Sequence, residues 1–278
     1  MRILITGARG MLGHDLVRVL SPASTTGLSS KDLDVTDLQA VGRTFRRHAP
    51  QVVIHAAAYT DVDACESHAE LAHRVNGLGT RNVAQIAEDI GAAVVYISTD
   101  YVFDGEKTEP YLESDPTHPI NVYGESKLAG EGFVRDLCGR HYIIRTSWLF
   151  GRHGKNFVAT ILRLTGEQKT LRVVSDQVGS PTYSYHLAQK IAELVSSNRF
   201  GTYHVTNSSS CSWFEFALQI MKMRQICMSV VPITSAESGR PARRPRNSVL
   251  RNLALEEEGL QLLPHWQEGL AQYLAELS

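Results

Sequence analysis

Nowhere do the 278 residues hold an apolar run of the roughly eighteen positions that a membrane-crossing helix needs, so no span is expected. Cysteine is sparse. Cys65, Cys138, Cys211 and Cys227 lie far apart with no C-x-x-C pair, which argues against a disulfide framework and for buried thiols. The eleven histidines include no H-E-x-x-H or other tight ligand spacing, so the sequence offers no metal site. An excess of one charge is missing too: the formal net charge is −1 and there is no long basic run. The most basic stretch, PARRPRN at Pro241 to Asn247, is short and broken by proline, so neither nucleic acid nor an anionic membrane surface is an expected partner. The opening MRILITG reads as a strand rather than a signal peptide, and a cytoplasmic address is the expectation. No internal repeat or low-complexity tract is visible.

With 43% hydrophobic residues, the chain can bury a substantial core. Short apolar runs alternate with longer amphipathic ones, the order that yields a parallel sheet with helices on both faces. Strands are expected at Arg2 to Thr6, Ser24 to Leu28, Gln51 to His55, Ala93 to Ser98 and His141 to Thr146. Helices are expected at Leu12 to Leu20, at Leu38 to His48 behind the cap residues Thr36 and Asp37, through most of Ala69 to Gly91, and from Asn121 onward. Beyond Trp148 the alternation loosens. A helix near Asn156 to Thr165 precedes a strand at Leu171 to Ser175, a turn at Gly179 to Tyr183, a helix from about His186 to Ser196 and a strand at Thr202 to Val205. In SSSCSWFEFALQI, Ser212 and Glu215 have capping-box spacing, so these serines read as a helix start and not as nucleophiles. Thr234 to Asn247, with Gly239, Pro241 and Pro245, reads as an exposed connection. The fold class is α/β, a Rossmann-type doubly wound parallel sheet with a smaller C-terminal α/β domain. Residues 1–147 form the dinucleotide-binding part, to which about 171–200 returns, and 148–278 form mainly the substrate-binding part.

In TGARGMLG, Gly7, Gly10 and Gly13 follow the first strand and lead into the first helix. Glycines there permit a tight turn and close approach of the backbone to a pyrophosphate, which the helix N-terminus favours. A dinucleotide site is expected. Readers of NAD usually place an acid at the end of the second strand to bind the ribose hydroxyls, but here that place holds Ser29, Ser30 and Lys31. Small hydroxyls and a cation suit a 2′-phosphate, so NADPH is expected to serve at least as well as NADH. Asp34 and Val35 lie slightly further on, where they could border the adenine.

The stretch NVYGESKLAGE puts Tyr123 and Lys127 four residues apart, on one helix face. A tyrosine titrates near 10 in water, and a neighbouring ammonium favours its phenolate, so the pair is expected to form a proton-transfer device at neutral pH. Thr99, directly after the fourth strand in STDYVFDG, could hold a carbonyl oxygen. Gly7, Ser29, Ala57 to Tyr59, Thr99 and Trp148 each follow one of the first five expected strands, and ligands of open α/β sheets bind beyond those carboxyl ends.

These blocks, with LDVTD, HAAAYTDVDACE, RTSWLFG, DQVGSPTY, GTYHVTN and RPRNSVL, occur nearly end to end in an order that resembles the extended short-chain dehydrogenase/reductases and, within them, the dTDP-4-dehydrorhamnose reductases. The resemblance implies NADPH- or NADH-dependent reduction of the C4 ketone of a dTDP-linked deoxysugar, a step toward cell-surface polysaccharide. It would make Thr99, Tyr123 and Lys127 catalytic, with Lys127 also on the nicotinamide ribose. Gly10, Met11 and Leu12 would meet the pyrophosphate, Asp34 and Val35 the adenine side, and Ala57, Ala58 and Tyr59 the middle of the cofactor. Asp100 and Trp148 would touch the sugar or its nucleotide, although Trp148 also suits a core aromatic. Met11 stands where the family often has Gln, and Arg251 where an acid is common. Some members are homodimers bridged by a metal ion; the resemblance thus admits magnesium, but the sequence shows no matching ligand set.

Two other functions share the scaffold. Related dehydratases carry an acid right after the Thr-Asp pair, where this chain has Tyr101, which favours simple reduction. A non-catalytic regulatory subunit would not need the intact Thr99, Tyr123 and Lys127. A 4-ketoreductase for another nucleotide-linked deoxysugar could share every motif.

Overall fold

The computed structural model describes residues 1–20, 22–167 and 170–277. Its first half lays down β1 (Ile3–Thr6), α1 (Met11–Val19), β2 (Thr25–Leu28), α2 (Leu38–His48) and β3 (Val52–His55). Then come α3 (Val62–Ser67), α4 (Ala69–Ala72), α5 (Gly79–Asp89), β4 (Ala93–Thr99), α6 (Val122–Leu137) and β5 (His141–Thr146). After β6 (Leu149–Phe150), α7 (Phe157–Thr165), β7 (Thr170–Val174), β8 (Val178–Gly179) and β9 (Thr182–Tyr183), the chain forms α8 (Ser184–Ser197) and β10 (Gly201–His204). The remainder holds β11 (Asn207–Ser208), β12 (Cys211–Ser212), α9 (Trp213–Met223), β13 (Ser229–Ile233), α10 (Ser235–Ser238), α11 (Leu253–Glu257), β14 (Leu263–His265) and α12 (Trp266–Glu276). Among the described residues no helix is long and apolar enough to cross a membrane.

Six strands form one parallel sheet in the order β10-β5-β4-β3-β1-β2. Strand alternation explains its two-sided burial. Ile3, Ile5, Val52, Ile54, Val95 and Ile144 pack on one face with Leu12 and Leu16 of α1 and Leu187 and Ile191 of α8. Leu4, Val53, Val94, Tyr96 and Ile143 pack on the other with Phe45 of α2, Val83 of α5 and Val134 of α6. From β1 the chain first steps outward to β2, then crosses to β3 on the opposite side. That reversal opens a crevice at the carboxyl ends of β1 and β3.

The late return to the sheet consists of α8 and β10, whereas β7 pairs with β13 away from it. Around the smaller core, Phe150, Val158, Ile161, Phe216, Ile220, Trp266, Leu270 and Tyr273 come from β6, α7, α9 and α12. The expected turn at Gly179 to Tyr183 contains two short strands, because β8 finds a partner in β12 and β9 in β6.

Other departures bear on function. The expected Ala69 to Gly91 helix is interrupted by a π-helical turn over His73–Leu78, which turns Asn76 fully inward. Short helix α3, capped by Asp61, was not expected. Thr234 to Asn247 is no simple exposed connection: Arg240 and Arg244 each reach Asp63 at 3.0 Å, and Asn121 Nδ2 donates to the Arg243 carbonyl at 2.8 Å. Its arginines find a carboxylate and its backbone finds a helix cap, so the segment clasps α3 and the start of α6. The capping box at Ser212 and Glu215 is present.

Candidate active site

The glycine loop is shaped by contact with its neighbours. Gly7 has φ +71°, and a Cβ there would lie 2.6 Å from the Ala57 nitrogen; one on Gly13 would lie 2.3 Å from the Gly7 carbonyl oxygen. A Cβ on Gly10 would meet within 4 Å only that carbonyl oxygen, at 3.2 Å, and would otherwise stand in the trough. Helix α1 begins at Gly10 with no side-chain cap, in contrast to α2, α6 and α7, which Asp37, Asn121 and Asn156 cap. Uncapped amides at Met11 and Leu12 beside a bare glycine backbone suit a pyrophosphate.

From this loop a trough of about 580 Å³ runs past Ser29, Ser30, Lys31, Asp34, Val35, Ala57 and Ala58. Arg9, which lies within the TGARGMLG loop between Gly7 and Gly10, lines it as well and is exposed. Ser29 gives its hydroxyl to Asp32 at 2.6 Å, and Asp34 accepts from the Thr36 hydroxyl and amide at 2.8 and 2.9 Å. The exposed cations beside them, Arg9 and Lys31, are therefore the groups at that end most suited to an added phosphate. This donor set fits a phosphorylated dinucleotide.

Sharing Gly7, Gly10, Ala56 and Ala58 with that trough, a second cleft of about 420 Å³ continues to Met11, Leu12, Thr99, Asp100, Tyr123, Lys127 and Trp148. Every site residue anticipated from sequence lines one or the other, except Tyr59. Tyr59 is tied by its backbone, its amide donating to Asn76 Oδ1 at 2.7 Å and its carbonyl accepting from Asn76 Nδ2 at 2.9 Å. The same Nδ2 reaches the Ser126 hydroxyl at 2.9 Å, so the π-helical turn joins the loop after β3 to the helix that carries Tyr123 and Lys127.

Helix α6 is set deep. Asn121 caps it by accepting from the Gly124 amide at 2.8 Å, and a Cβ on Gly124 would strike the Tyr101 carbonyl oxygen. Lys127 is 3% exposed, its Nζ 4.1 Å from the centre of the Tyr96 ring, whose hydroxyl donates to the Lys127 carbonyl at 3.0 Å. One turn on, buried Glu131 accepts from the Ser98 hydroxyl at 2.6 Å and pairs with Arg145 at 2.8 Å, which fastens α6 to β4 and β5.

Electrostatics overturn one expectation. Lys127 was expected to draw the Tyr123 phenol toward its ionised form, yet burial, reinforced by the Asp100 charge, holds the phenol well above the ordinary tyrosine range, opposed only in part by the nearby Thr99 hydroxyl. Burial also pushes Lys127 down to about 7, with Glu131 opposing. Both groups lie on a poorly solvated floor, where either ion is disfavoured. Burial likewise raises Asp100 to about 7, opposed by the nearby Ser248 and Thr99 hydroxyls; Thr99 donates to its Oδ1 at 2.9 Å, while among the described residues no donor meets the buried Oδ2 in full hydrogen-bonding geometry. Tyr101 stands edge-on to Tyr123, ring centres 5.9 Å apart.

In the same cleft as Tyr123, Trp148 adopts φ +48° and stacks on Trp213 with ring centres 3.4 Å apart and planes within 5°. Gly179 makes room, since a Cβ there would lie 2.4 Å from Trp148 Cε2. Trp213, Thr146, Ser147 and Lys155 line this cleft without having been anticipated from sequence, and among the described residues the buried Thr146 hydroxyl has no hydrogen-bond partner. Thr146 and Ser147 adjoin Trp148 in RTSWLFG, whereas only the tertiary fold brings Trp213 and Lys155 there. Among the described residues no group of three or more His, Cys, Asp or Glu could hold a metal ion.

The family model described as the RmlD substrate binding domain matches residues 1–278. The chain belongs to this family. A curated dTDP-4-dehydrorhamnose reductase from Streptomyces griseus is 42% identical over 98% of this chain and 92% of its own length. A dTDP-4-keto-6-deoxy-D-glucose reductase from Streptomyces niveus is 39% identical over 98% and 96%. The crystal structure of a Bacillus anthracis dTDP-4-dehydrorhamnose reductase in complex with NADP superposes with a TM-score of 0.97 at 43% identity, covering 99% of each chain. The Rossmann-type family fold anticipated from the sequence is therefore the fold observed.

Proposed function

We propose that the protein is an NADPH-dependent oxidoreductase that reduces the C4 ketone of dTDP-4-dehydro-6-deoxy-L-mannose to dTDP-L-rhamnose. Family membership supports the reaction class, as do the names of the relatives and the NADP held by the Bacillus anthracis structure. The observation that carries the reading is one continuous crevice, with a phosphate-suited trough at one end and Thr99, Asp100, Tyr123 and Lys127 at the other. Arg9 and Lys31 favour the 2′-phosphate form of the cofactor.

Reduced nicotinamide, when bound, supplies the hydride for C4. The chain's own residues manage the oxygen. Tyr123 is the proton donor: its raised pKa keeps the phenol protonated at neutral pH, so the proton is in place when the hydride reaches C4 and negative charge develops on the oxygen. Once the proton has left, the Lys127 ammonium offsets the new negative charge. Thr99 turns its hydroxyl from Asp100 to the ketone oxygen, and the Asp100 carboxylate, which lines the same cleft, accepts from a sugar hydroxyl. Trp148 offers the sugar an apolar wall.

NADPH oxidation followed with the rhamnose precursor and its 4-keto isomers, with products identified by NMR, tests the substrate. Tyr123→Phe should lower kcat about 10²-fold or more with NADPH affinity nearly unchanged. Full activity in that variant would remove Tyr123 from the mechanism. Better turnover of the D-glucose-configured ketone would favour the activity named for the Streptomyces niveus relative. Formation of a 4-keto-6-deoxy product from dTDP-glucose and NAD would instead indicate a dehydratase.

A further inference from the structure

We propose that Lys155 is the contact for the diphosphate of the nucleotide sugar, an inference that rests on the substrate class just given. The cleft around Tyr123 is lined by a single acid, Asp100, and two cations, Lys127 and Lys155. Lys127 is committed to the buried floor against Tyr96. Lys155 is exposed, and among the described residues no carboxylate lies within ion-pairing distance of it. An anion entering this cleft therefore meets one available charge.

The position of that charge is fixed by its loop. Asn156 donates to the Gly151 carbonyl at 2.9 Å and caps α7 through the Ala159 amide at 2.9 Å. His153 stacks on His14 of α1 with ring centres 3.9 Å apart, and Gly154, at φ +75°, lies against Met11. The loop thus bridges the cofactor side and the smaller core, and Lys155 stands at the seam with the Trp148–Trp213 stack lining the same cleft.

Two diphosphates compete for this assignment, one in the cofactor and one in the substrate. The glycine loop already offers the cofactor's an uncapped helix start and bare backbone, with no cation required. Once the glycine loop is taken by the cofactor, a sugar diphosphate placed with its ketone at Tyr123 has no second cradle of that kind among the lining groups, and Lys155 supplies the missing positive charge.

Titration calorimetry of wild type, Lys155→Ala, Lys155→Glu and Lys155→Arg with dTDP, with thymidine and with NADPH separates these cases, and steady-state kinetics complete the test. In Lys155→Ala, dTDP binding and substrate KM should weaken about tenfold, with thymidine and NADPH affinities and kcat within about twofold. Lys155→Glu should weaken dTDP further, Lys155→Arg should restore most of it, and added salt should erode the wild-type advantage. Unchanged dTDP affinity in both Ala and Glu variants overturns the proposal, and an NADPH loss as large as the dTDP loss reassigns Lys155 to the cofactor. Wild-type protein that binds no nucleoside diphosphate overturns the substrate reading itself, a result distinct from either.

Discussion

Replacing Lys127 by Met should stabilise the protein without cofactor while abolishing its activity. Lys127 is buried, and its pKa falls from 10.5 to about 7 in the folded chain. Below 10.5 the unfolded chain takes up this proton, but the folded chain does so only below about 7. Between those values the unfolded state binds more protons, so this lysine's cost to stability shrinks as pH rises through the window. At 1.36 kcal/mol per tenfold, the charged side chain opposes folding by about 5 kcal/mol at pH 6 and by about 1–2 kcal/mol at pH 9.5. Methionine fills a similar volume with no charge to desolvate, and the contact of the ammonium with the Tyr96 ring that it forgoes exists only where Lys127 is protonated, so it belongs to the folded pKa already used. The advantage of Lys127→Met over wild type should therefore be about 3 kcal/mol larger at pH 6 than at pH 9.5. Urea unfolding of both proteins without ligand, at both pH values, measures this directly, and titrations common to the two cancel. A difference that stays constant with pH, or grows toward alkaline pH, would refute the picture of a cation held on a desolvated floor.

The other outcomes follow from the trough and the tryptophan wall. Arg9→Ala should cut kcat/KM with NADPH about tenfold and leave NADH nearly unaffected, which parallel kinetics with the two cofactors will read; equal losses would move Arg9 away from the 2′-phosphate. A wild-type preference for NADH of about tenfold would count against the 2′-phosphate reading altogether. Gly179→Ala places a methyl 2.4 Å from Trp148 and should cost about 1–3 kcal/mol in denaturant unfolding, with substrate KM raised as the indole shifts; neutral behaviour in both assays would show that the stack yields freely.

Much of the larger sheet was legible in the sequence because its signals are local. The alternation of Ile3, Leu4 and Ile5, the cap at Asp37 and the cap at Asn121 each act within a few residues, and the expected elements at Leu38–His48 and His141–Thr146 match the observed ones end to end. Elsewhere local signals ran out. The π-helical turn depends on Asn76 finding Tyr59 and Ser126, partners 17 and 50 residues distant. The clasp at Arg240 and Arg244 depends on Asp63, 177 and 181 residues away.

By itself the sequence determined the residue types that a ketoreductase needs and the sheet edge at which most of them gather, since strand ends and glycine turns follow from neighbours along the chain. Tertiary structure alone decided their charge states and their companions. Burial depth sets whether Tyr123, Lys127 and Asp100 carry protons, and desolvation is a property of everything packed around a group. Lys155 and Trp213 join the crevice because separate segments fold against it, a proximity that no spacing along the chain encodes.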